Sequence, residues 1–513
     1  MIAARRRRLV PGALPLGLVA VCGASLSLAL PPIGFWPLLG ALVPLFAGVA
    51  NAESPRAAFR LAGAFAVPFF ALYIWWLPAS LSIGFGPAAW LILPLLIALL
   101  TLFWALLAAV ARRLGGRGAG TLSVLPALWV LVEWARTQGY FGFPWGTLGY
   151  AWLDTPVAQL ASVVGVYGLS LLTTSAAALL AAPLVRDGRG DARLARRRVA
   201  APALALLLVG GGWGWGALAL LDAAPDAPLT ALLVQGDIDP FSAVLAGPEL
   251  STYLSLTEQG ADALSQAPEL VVWPEGAVSG RVFEGVRGEP DRQAIQASAP
   301  ESAFLVGGRR REPGRSYNSV FSLSDGRLLG TYDKRVLVPF GERFPLIVPL
   351  KPLYRGVFAL MGLPLLNSTY PGDAFAPLPT PLGSVGTYIC YESVFPQSTR
   401  LMVARGAEVL VTVTNDAWFS RGDGAQQHWD MGRMRAIETR RYLLRAANDG
   451  ITGAVDPYGR EIVELERGTR ASLVAPFGLA RERTPWVRFG GLTPWVLTVW
   501  IVLAALAASR RRR

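Results

Sequence analysis

The sequence predicts a membrane-embedded bundle of helices joined to a soluble α/β domain. Of its 513 residues, 53% are hydrophobic and only 16% are charged, which is far from the composition of an ordinary soluble protein. Apolar runs of bilayer-spanning length recur along the chain, and a long stretch before the last run alternates short apolar segments with longer helical ones. These observations predict two regions in different environments.

Eight apolar runs approach the length of about 20 residues that a helix needs to cross a bilayer. A globular protein could bury such runs as core helices, but seven of them in succession with short polar joints favour a membrane bundle. The runs lie near residues 10–30, 33–50, 61–82, 88–111, 120–135, 157–185, 200–222 and 491–508.

Arginines mark alternate ends of these runs. Basic residues concentrate on the cytoplasmic side of a membrane, so this alternation predicts that both termini are cytoplasmic and that residues 223–490 are not. The net charge of +12 is placed at membrane edges and does not indicate nucleic-acid binding. The clusters are Arg5–Arg8, Arg56 with Arg60, Arg112 with Arg113 and Arg117, Arg186–Arg198, and Arg510–Arg513.

The predicted domains are therefore a seven-helix transmembrane region at residues 1–222, an extracytoplasmic α/β domain at 223–490, and a transmembrane helix with a cytoplasmic tail at 491–513. Within the α/β domain, short apolar or β-branched runs predict strands and longer runs predict helices. The strands are Ala231–Gln235, Leu270–Trp273, Ala303–Gly307, Ser319–Leu323, Gly386–Cys390 and Val409–Thr414; the helices are Glu249–Ser265 and Gln426–Asn448.

The segment Phe344–Leu366 is apolar and proline-rich and has no clean strand or helix period, so it could be a loop. Two interpretations stay open for it. It could be an arm that touches the bilayer surface, or it could pack on the core of its own domain.

Cysteine and histidine are too scarce for a disulfide framework or a zinc site. The chain has two distant cysteines, Cys22 and Cys390, and one histidine. The sequence predicts no metal and no cofactor, and it leaves Cys390 as a free thiol in the soluble domain.

Three predicted strands lead into a reactive side chain, at Glu275, Lys334 and Cys390. Strand ends are where α/β sheets present catalytic groups, so the three could share a pocket. A thiol is mostly protonated at neutral pH and needs a base, for which Glu275 is suited. Lys334 could stabilise the thiolate and then an oxyanion, which makes nucleophilic acyl transfer through Cys390 plausible.

Each of these residues also has a structural interpretation. Cys390 could be a small buried apolar residue, Glu275 could cap a helix or turn, and Lys334 could form a surface ion pair with Asp333 or Glu342. Only two of the 47 basic residues are lysines, which favours a specific need for an ammonium at position 334. His428 is an alternative base, as in cysteine-histidine enzymes.

With these residues identified, the chain resembles the bacterial apolipoprotein N-acyltransferases, a membrane-embedded family of the nitrilase, or carbon-nitrogen hydrolase, superfamily. The resemblance covers nearly the whole chain and depends on an ordered set of short motifs. They are Phe143-Pro144-Trp145, Leu148-Gly149-Tyr150, Val234-Gln235-Gly236, Trp273-Pro274-Glu275, Tyr332-Asp333-Lys334-Arg335, Val338-Pro339-Phe340-Gly341-Glu342, Cys390-Tyr391-Glu392 and Thr414-Asn415-Asp416-Ala417-Trp418-Phe419.

The resemblance implies a nitrilase-like α-β-β-α sandwich and a catalytic triad of Glu275, Lys334 and Cys390. It also implies supporting roles for Glu342, the family's second glutamate, and for Tyr391 and Glu392, which follow the nucleophile. The implied acyl donor is a phospholipid, commonly phosphatidylethanolamine. The implied acceptor is the α-amino group of the diacylglyceryl cysteine of an apolipoprotein, at the periplasmic side of the inner membrane.

One stretch departs from the family pattern. Where the family tends to read Asn-Ile-Pro after Gln-Gly, this chain has Asp237-Ile238-Asp239-Pro240 and then Ala243-Val244-Leu245, so the loop over the substrate is expected to differ. Two rival functions also stay open. One is a membrane-anchored amidase or nitrilase that passes the acyl group to water, and the other is a non-catalytic membrane scaffold.

Overall fold

The structure is a computed structural model that describes residues 16–185, 192–221, 226–239, 250–278, 288–344, 346–360, 369–419 and 422–510. Some expectations from the sequence concern positions outside these ranges. They are Arg5–Arg8, residues 10–15 of the first apolar run, Arg186 and Arg189, Arg511–Arg513, the domain boundary at residues 222 and 223, Pro240 with Ala243–Leu245, the first residue of the helix expected at Glu249, and residues 345 and 361–366.

The N-terminal part of the chain is helical, and a C-terminal helix packs against it. Helix α3 shows how the sequence sets a boundary, because the Ser54 side chain accepts the Ala57 N–H and Pro55 takes the first helical position. The helices are α1 Leu16–Ser27, α2 Leu42–Asn51, α3 Pro55–Tyr73, α4 Leu77–Phe85, α5 Ile92–Gly115, α6 Ala119–Ala135, α7 Ala161–Ala181 and α8 Ala192–Ala219, and the C-terminal one is α15 Thr493–Arg510.

Four helical stretches of the described residues are long and apolar enough to cross a membrane: Ala89–Gly115, Pro156–Leu184, Val199–Ala219 and Pro485–Arg510. Three shorter apolar ones are Leu16–Ser27, Trp36–Asn51 and Ala119–Ala135. The run expected at residues 61–82 is divided between α3 and α4. The count of eight spans therefore stays a prediction.

Helix α7 is kinked where it meets the soluble domain. Gly165 has φ 67° and ψ 177°, which interrupts the helix and frees the N–H of Val166. That N–H donates to the Glu438 carboxylate at 2.8 Å, so a residue of the soluble domain caps the continuing helix. The Trp486 ring covers Gly165 so closely that an added Cβ would lie 2.6 Å from it.

The soluble domain contains two six-stranded sheets. The first sheet has the order β12-β1-β2-β3-β4-β5 and the second β11-β10-β9-β8-β7-β6. The first-sheet strands are β1 Leu229–Gln235, β2 Leu270–Val278, β3 Ala303–Glu312, β4 Arg315–Ser324, β5 Arg327–Asp333 and β12 Ala471–Phe477. The second-sheet strands are β6 Leu378–Thr380, β7 Gly383–Ile389, β8 Val409–Thr414, β9 Leu443–Ala447, β10 Thr452–Val455 and β11 Glu461–Leu465.

Both faces of the central strands are buried, which produces four layers. In β1, Ala231 and Leu233 join the core between the sheets, whereas Leu232 and Val234 join a second core under the outer helices. Helices α9 Leu250–Asp262 and α10 Glu289–Ser298 cover the first sheet. Helices α12 Pro396–Ala404 and α13 Gly424–Thr439 cover the second sheet, and α13 also packs against the membrane helix α7. Short helix α14, Pro485–Phe489, leads into α15.

The helix expected over Gln426–Asn448 is wrong in its second half. Helix α13 ends at Thr439, Arg440 takes a left-handed conformation (φ 53°, ψ 50°), and Leu443–Ala447 forms β9. Leucine, arginine and alanine favour helices, but here β9 pairs with β8 and β10 and is fully buried, so sheet packing overrides the local preference.

Two smaller differences concern the site region. The strand expected to include Cys390 ends at Ile389, and Cys390 begins a short 3₁₀ helix, Cys390–Val394. The segment that could be a loop contains helix α11, Ile347–Leu360. Phe358 of this helix is buried and Leu353 is exposed, which fits parts of both interpretations of the segment.

We predict that Gly165→Ala destabilises the protein by at least about 2 kcal/mol, because it combines an unfavourable φ with a clash against the Trp486 ring. Thermal unfolding of the detergent-solubilised protein measures this. Gly210→Ala in α8 is the matched control, since nothing lies within 4 Å of its added Cβ. Equal melting temperatures for the two variants would contradict the role given to Gly165.

Candidate active site

The structure brings Glu275, Lys334 and Cys390 together at one end of the two sheets. Glu275 lies in β2, Lys334 follows β5 of the same sheet, and Cys390 follows β7 of the facing sheet. The backbone N–H of Asn415, just after β8, donates to Glu275 Oε2 at 3.1 Å and ties the sheets together at this point. The site is therefore assembled from both sheets.

Lys334 is the buried cation of the site. Its side chain is 1% exposed, and its Nζ lies 2.9 Å from Glu342 Oε2 and 3.5 Å from Glu275 Oε1. Burial alone would lower the pKa of the ammonium, but the Glu342 and Glu275 carboxylates outweigh this and raise it above the usual value. Lys334 thus carries its charge at neutral pH.

The sequence offered Asp333 and Glu342 as ion-pair partners of Lys334, and the structure distinguishes between them. Asp333 does not pair with the ammonium, because its carboxylate binds Arg310 at 2.6 Å and the Ser319 hydroxyl at 2.6 Å. Glu342 does pair with Lys334, but in a buried site rather than on the surface. The Lys334 ammonium also holds the pKa of Glu342 below its usual range in spite of burial.

Asn318 on β4 was not expected from the sequence. Its amide Nδ2 donates to Glu275 Oε1 at 2.6 Å and to Glu342 Oε1 at 2.9 Å, so one neutral group links the two carboxylates. The backbone carbonyl of Asn318 also accepts a hydrogen bond from the Lys334 backbone N–H at 2.8 Å. A single asparagine inside a strand carries no local signal of this role, because both partners are distant in sequence.

Cys390 is the first residue of the 3₁₀ helix that directly follows strand β7. Its φ of 51° is in the left-handed region, which is uncommon for a non-glycine residue. Burial and the Glu275 carboxylate raise the pKa of the thiol to about 12, while Lys334 opposes the rise. The resting group is therefore a protonated thiol beside a carboxylate and an ammonium.

Glu392 is a buried acceptor that connects the Lys334 and Cys390 segments. It accepts the Tyr332 hydroxyl at 2.9 Å and the backbone N–H groups of Arg335, Val336 and Ile389 at 2.7 to 3.0 Å. Burial raises the pKa of this carboxyl to about 7, although the backbone donors oppose the shift. With so many donors on it, Glu392 holds backbone in place.

Tyr391 connects the site to the helical bundle. Its hydroxyl donates to the Gly142 carbonyl at 2.6 Å, and its ring stacks on Trp145 with ring centroids 5.8 Å apart. Gly142 and Trp145 belong to the segment that joins α6 to α7. The residue after the nucleophile is therefore fixed by the membrane part of the chain.

His428 contacts the nucleophile's backbone. Its Nε2 lies 3.0 Å from the Cys390 carbonyl oxygen and 2.9 Å from Ser393 Oγ, and its Nδ1 lies 3.1 Å from Asp416 Oδ1. A carbonyl only accepts hydrogen bonds, so Nε2 carries a proton. Burial and the nearby Arg445 lower the pKa of His428, and the contact of its ring with the Cys390 carbonyl positions the backbone of that residue.

The described residues contain no group of three or more His, Cys, Asp or Glu side chains that could hold a metal ion. Of the two cysteines, Cys22 lies in α1 and Cys390 in the site, and both are free.

Comparisons with known proteins match both regions. The model of the apolipoprotein N-acyltransferase N-terminal domain matches residues 22–179, and the carbon-nitrogen hydrolase model matches residues 222–483. The apolipoprotein N-acyltransferase of Allorhizobium ampelinum is 32% identical over 95% of this chain and 94% of that protein. The one of Geobacter metallireducens is 32% identical over 96% of this chain and 95% of that protein.

Among solved structures, Saccharomyces cerevisiae Nit3, a member of branch 10 of the nitrilase superfamily, is 18% identical to this chain. The match has a TM-score of 0.38 and covers 52% of this chain and 93% of that chain.

We predict that Glu275→Gln and Lys334→Met shift the reactivity of Cys390 in opposite directions. The Glu275 carboxylate raises the pKa of the thiol and the Lys334 ammonium lowers it. At pH 8, alkylation should therefore become about tenfold faster in Glu275→Gln and about tenfold slower in Lys334→Met. Iodoacetamide labelling in a Cys22→Ser background measures both rates. Shifts of the same sign would contradict this arrangement of charges.

Proposed function

We propose that this protein transfers an acyl group from a phospholipid, through a thioester on Cys390, to an amine. The chain belongs to the apolipoprotein N-acyltransferase family and is an acyltransferase. The proposed acceptor is the α-amino group of the N-terminal diacylglyceryl cysteine of an apolipoprotein. One observation carries the assignment of the site: an ammonium buried between two carboxylates lies beside a free thiol.

In the first half-reaction, Glu275 accepts the thiol proton while Cys390 Sγ attacks the ester carbonyl carbon of the phospholipid. The Lys334 ammonium stabilises the negative charge that develops on the carbonyl oxygen, a contribution on the order of 3 kcal/mol for one donor. When the tetrahedral intermediate collapses, the ester C–O bond breaks. The departing lysophospholipid oxygen takes the proton from Glu275, and the acyl chain remains as a thioester.

In the second half-reaction, the neutral α-amino group of the acceptor attacks the thioester carbonyl. Glu275 accepts a proton from the attacking nitrogen, and Lys334 again stabilises the oxyanion. Collapse breaks the C–S bond and forms the amide, and Glu275 returns its proton to the Cys390 sulfur. The enzyme is regenerated without a cofactor because every proton is passed within the site.

The remaining residues support this chemistry without reacting. Glu342 balances the charge of Lys334, and Asn318 keeps Glu275 and Glu342 in place. Glu392 and Tyr391 fix the backbone on either side of the nucleophile. We therefore assign them positioning roles.

We also propose that the chain is a multi-pass protein of the bacterial inner membrane with its catalytic domain on the periplasmic side and both termini in the cytoplasm. The alternation of arginine clusters along the apolar runs supports this orientation. Both proposed substrates carry acyl chains that anchor them in the membrane, so a site against the helical bundle can reach them.

We predict that Cys390→Ala abolishes a covalent acyl-enzyme. Full-length protein incubated with acyl-radiolabelled phosphatidylethanolamine should acquire label that hydroxylamine releases, because hydroxylamine cleaves thioesters. Cys22→Ala is the matched control and should label like the wild type, since Cys22 lies in α1 away from the site. Label retained by Cys390→Ala would refute the thioester route.

We predict that the acyl chain is transferred to the lipopeptide amine and not to water. With a diacylglyceryl-cysteine peptide as acceptor, the peptide should gain the mass of one acyl chain, and Glu275→Gln should slow this by roughly 10² to 10⁴-fold. Because Glu275 is also the base of the first half-reaction, the acyl-enzyme should form more slowly in this variant as well. Free fatty acid as the main product of the wild type would instead indicate the hydrolase.

A further inference from the structure

A groove between α3 and α5 has the properties of a lipid-binding site distant from the catalytic residues. It has a volume of about 450 Å³ and is lined by Pro55, Arg56, Phe59, Arg60 and Ala109. Both guanidinium-bearing side chains are exposed. We propose that this groove binds the headgroup of an anionic phospholipid that is not a substrate.

The groove lies at the end of the bundle that faces away from the catalytic domain. At the C-terminal end of α3, the Tyr73 carbonyl accepts a hydrogen bond from Gln427 Nε2 at 3.1 Å, and the neighbouring Trp76 indole donates to Gln427 Oε1 at 2.9 Å. Arg56 is near the opposite end. A helix of 19 residues is about 28 Å long, close to the thickness of a bilayer core. The groove is therefore at the other membrane surface.

The two arginines are not neutralised by the protein. They are one helical turn apart on α3, and within the described part of the chain neither guanidinium has a salt bridge or a side-chain hydrogen bond. A groove with this charge favours an anion over a zwitterion.

Exposed apolar side chains extend from the groove along both helices, as they would beside acyl chains. This feature favours a lipid over a free anion, because a soluble phosphate would gain nothing from an apolar wall. Phe59 supplies apolar surface within the groove itself. The exposed residues are Leu95, Leu99, Leu102, Leu106 and Val110 on α5 and Val67 on α3.

The binding test uses the purified full-length protein in detergent, titrated with dioleoyl phosphatidylglycerol or dioleoyl phosphatidylcholine. Wild-type protein should bind phosphatidylglycerol more tightly, and 0.5 M salt should reduce the preference. Arg56→Gln with Arg60→Gln should weaken phosphatidylglycerol binding about 30-fold, since each arginine near a membrane surface contributes roughly a fivefold effect. Arg311→Gln with Arg327→Gln, which removes two exposed charges from the catalytic domain, should leave binding unchanged.

Three results would overturn the proposal: equal affinity for the two lipids in the wild type, unchanged phosphatidylglycerol binding in the Arg56/Arg60 double variant, or competition by inorganic phosphate as strong as that by the lipid. Arg56→Lys with Arg60→Lys keeps both charges and should retain most of the preference, which separates loss of charge from misfolding. Lipopeptide acylation should stay within about twofold of wild type in the double glutamine variant, because the groove lies about 28 Å from the catalytic end of α3. A larger loss would indicate that the groove serves a substrate instead.

Discussion

The site depends on one constraint, which is the burial of a single ammonium against two carboxylates beside a thiol. An ammonium removed from water needs close counter-charges, and Lys334 has them in Glu275 and Glu342. The two carboxylates would repel each other without the cation and without the shared Asn318 amide. Burial, together with the Glu275 carboxylate, keeps the neighbouring thiol protonated until a base removes its proton, whereas the Lys334 ammonium opposes this. Structure and reactivity therefore have a common electrostatic origin.

The catalytic domain and the helical bundle form one continuous hydrogen-bonded unit around this group. Tyr391 binds Gly142, Glu438 caps the kinked α7, and Arg435 donates to the Tyr150 hydroxyl at 3.1 Å. Each of these contacts joins a residue near the nucleophile or on α13 to α7 or to the segment between α6 and α7. A domain attached by a flexible linker would not be held in this way. The nucleophile is consequently fixed with respect to the helical bundle.

The sequence predicted the parts of the fold that have a strong local pattern. Buried runs such as Leu270–Trp273 and Val409–Thr414 are continuous because both of their faces are covered, so they stood out as strands. The prediction of a helix over Leu443–Ala447 was wrong because its leucine, arginine and alanine residues prefer helix, and only pairing with β8 and β10 makes the segment a strand. Glu275, Lys334 and Cys390 could be proposed from their positions at the ends of predicted strands, although the structure extends β2 past Glu275 to Val278. Asn318 could not, because its role arises from two carboxylates that reach it from distant parts of the chain.

The Asn318 amide also has a chemical vulnerability. Its one nitrogen donates hydrogens to both carboxylates, so deamidation to aspartate would remove both donated hydrogens and add a third carboxylate with almost no change in shape. Deamidation requires the backbone nitrogen of Ser319 to attack the side-chain amide carbon of Asn318. That movement is restricted while Asn318, in β4, is paired with β3. The regular strand thus acts as chemical protection for the enzyme over its working lifetime.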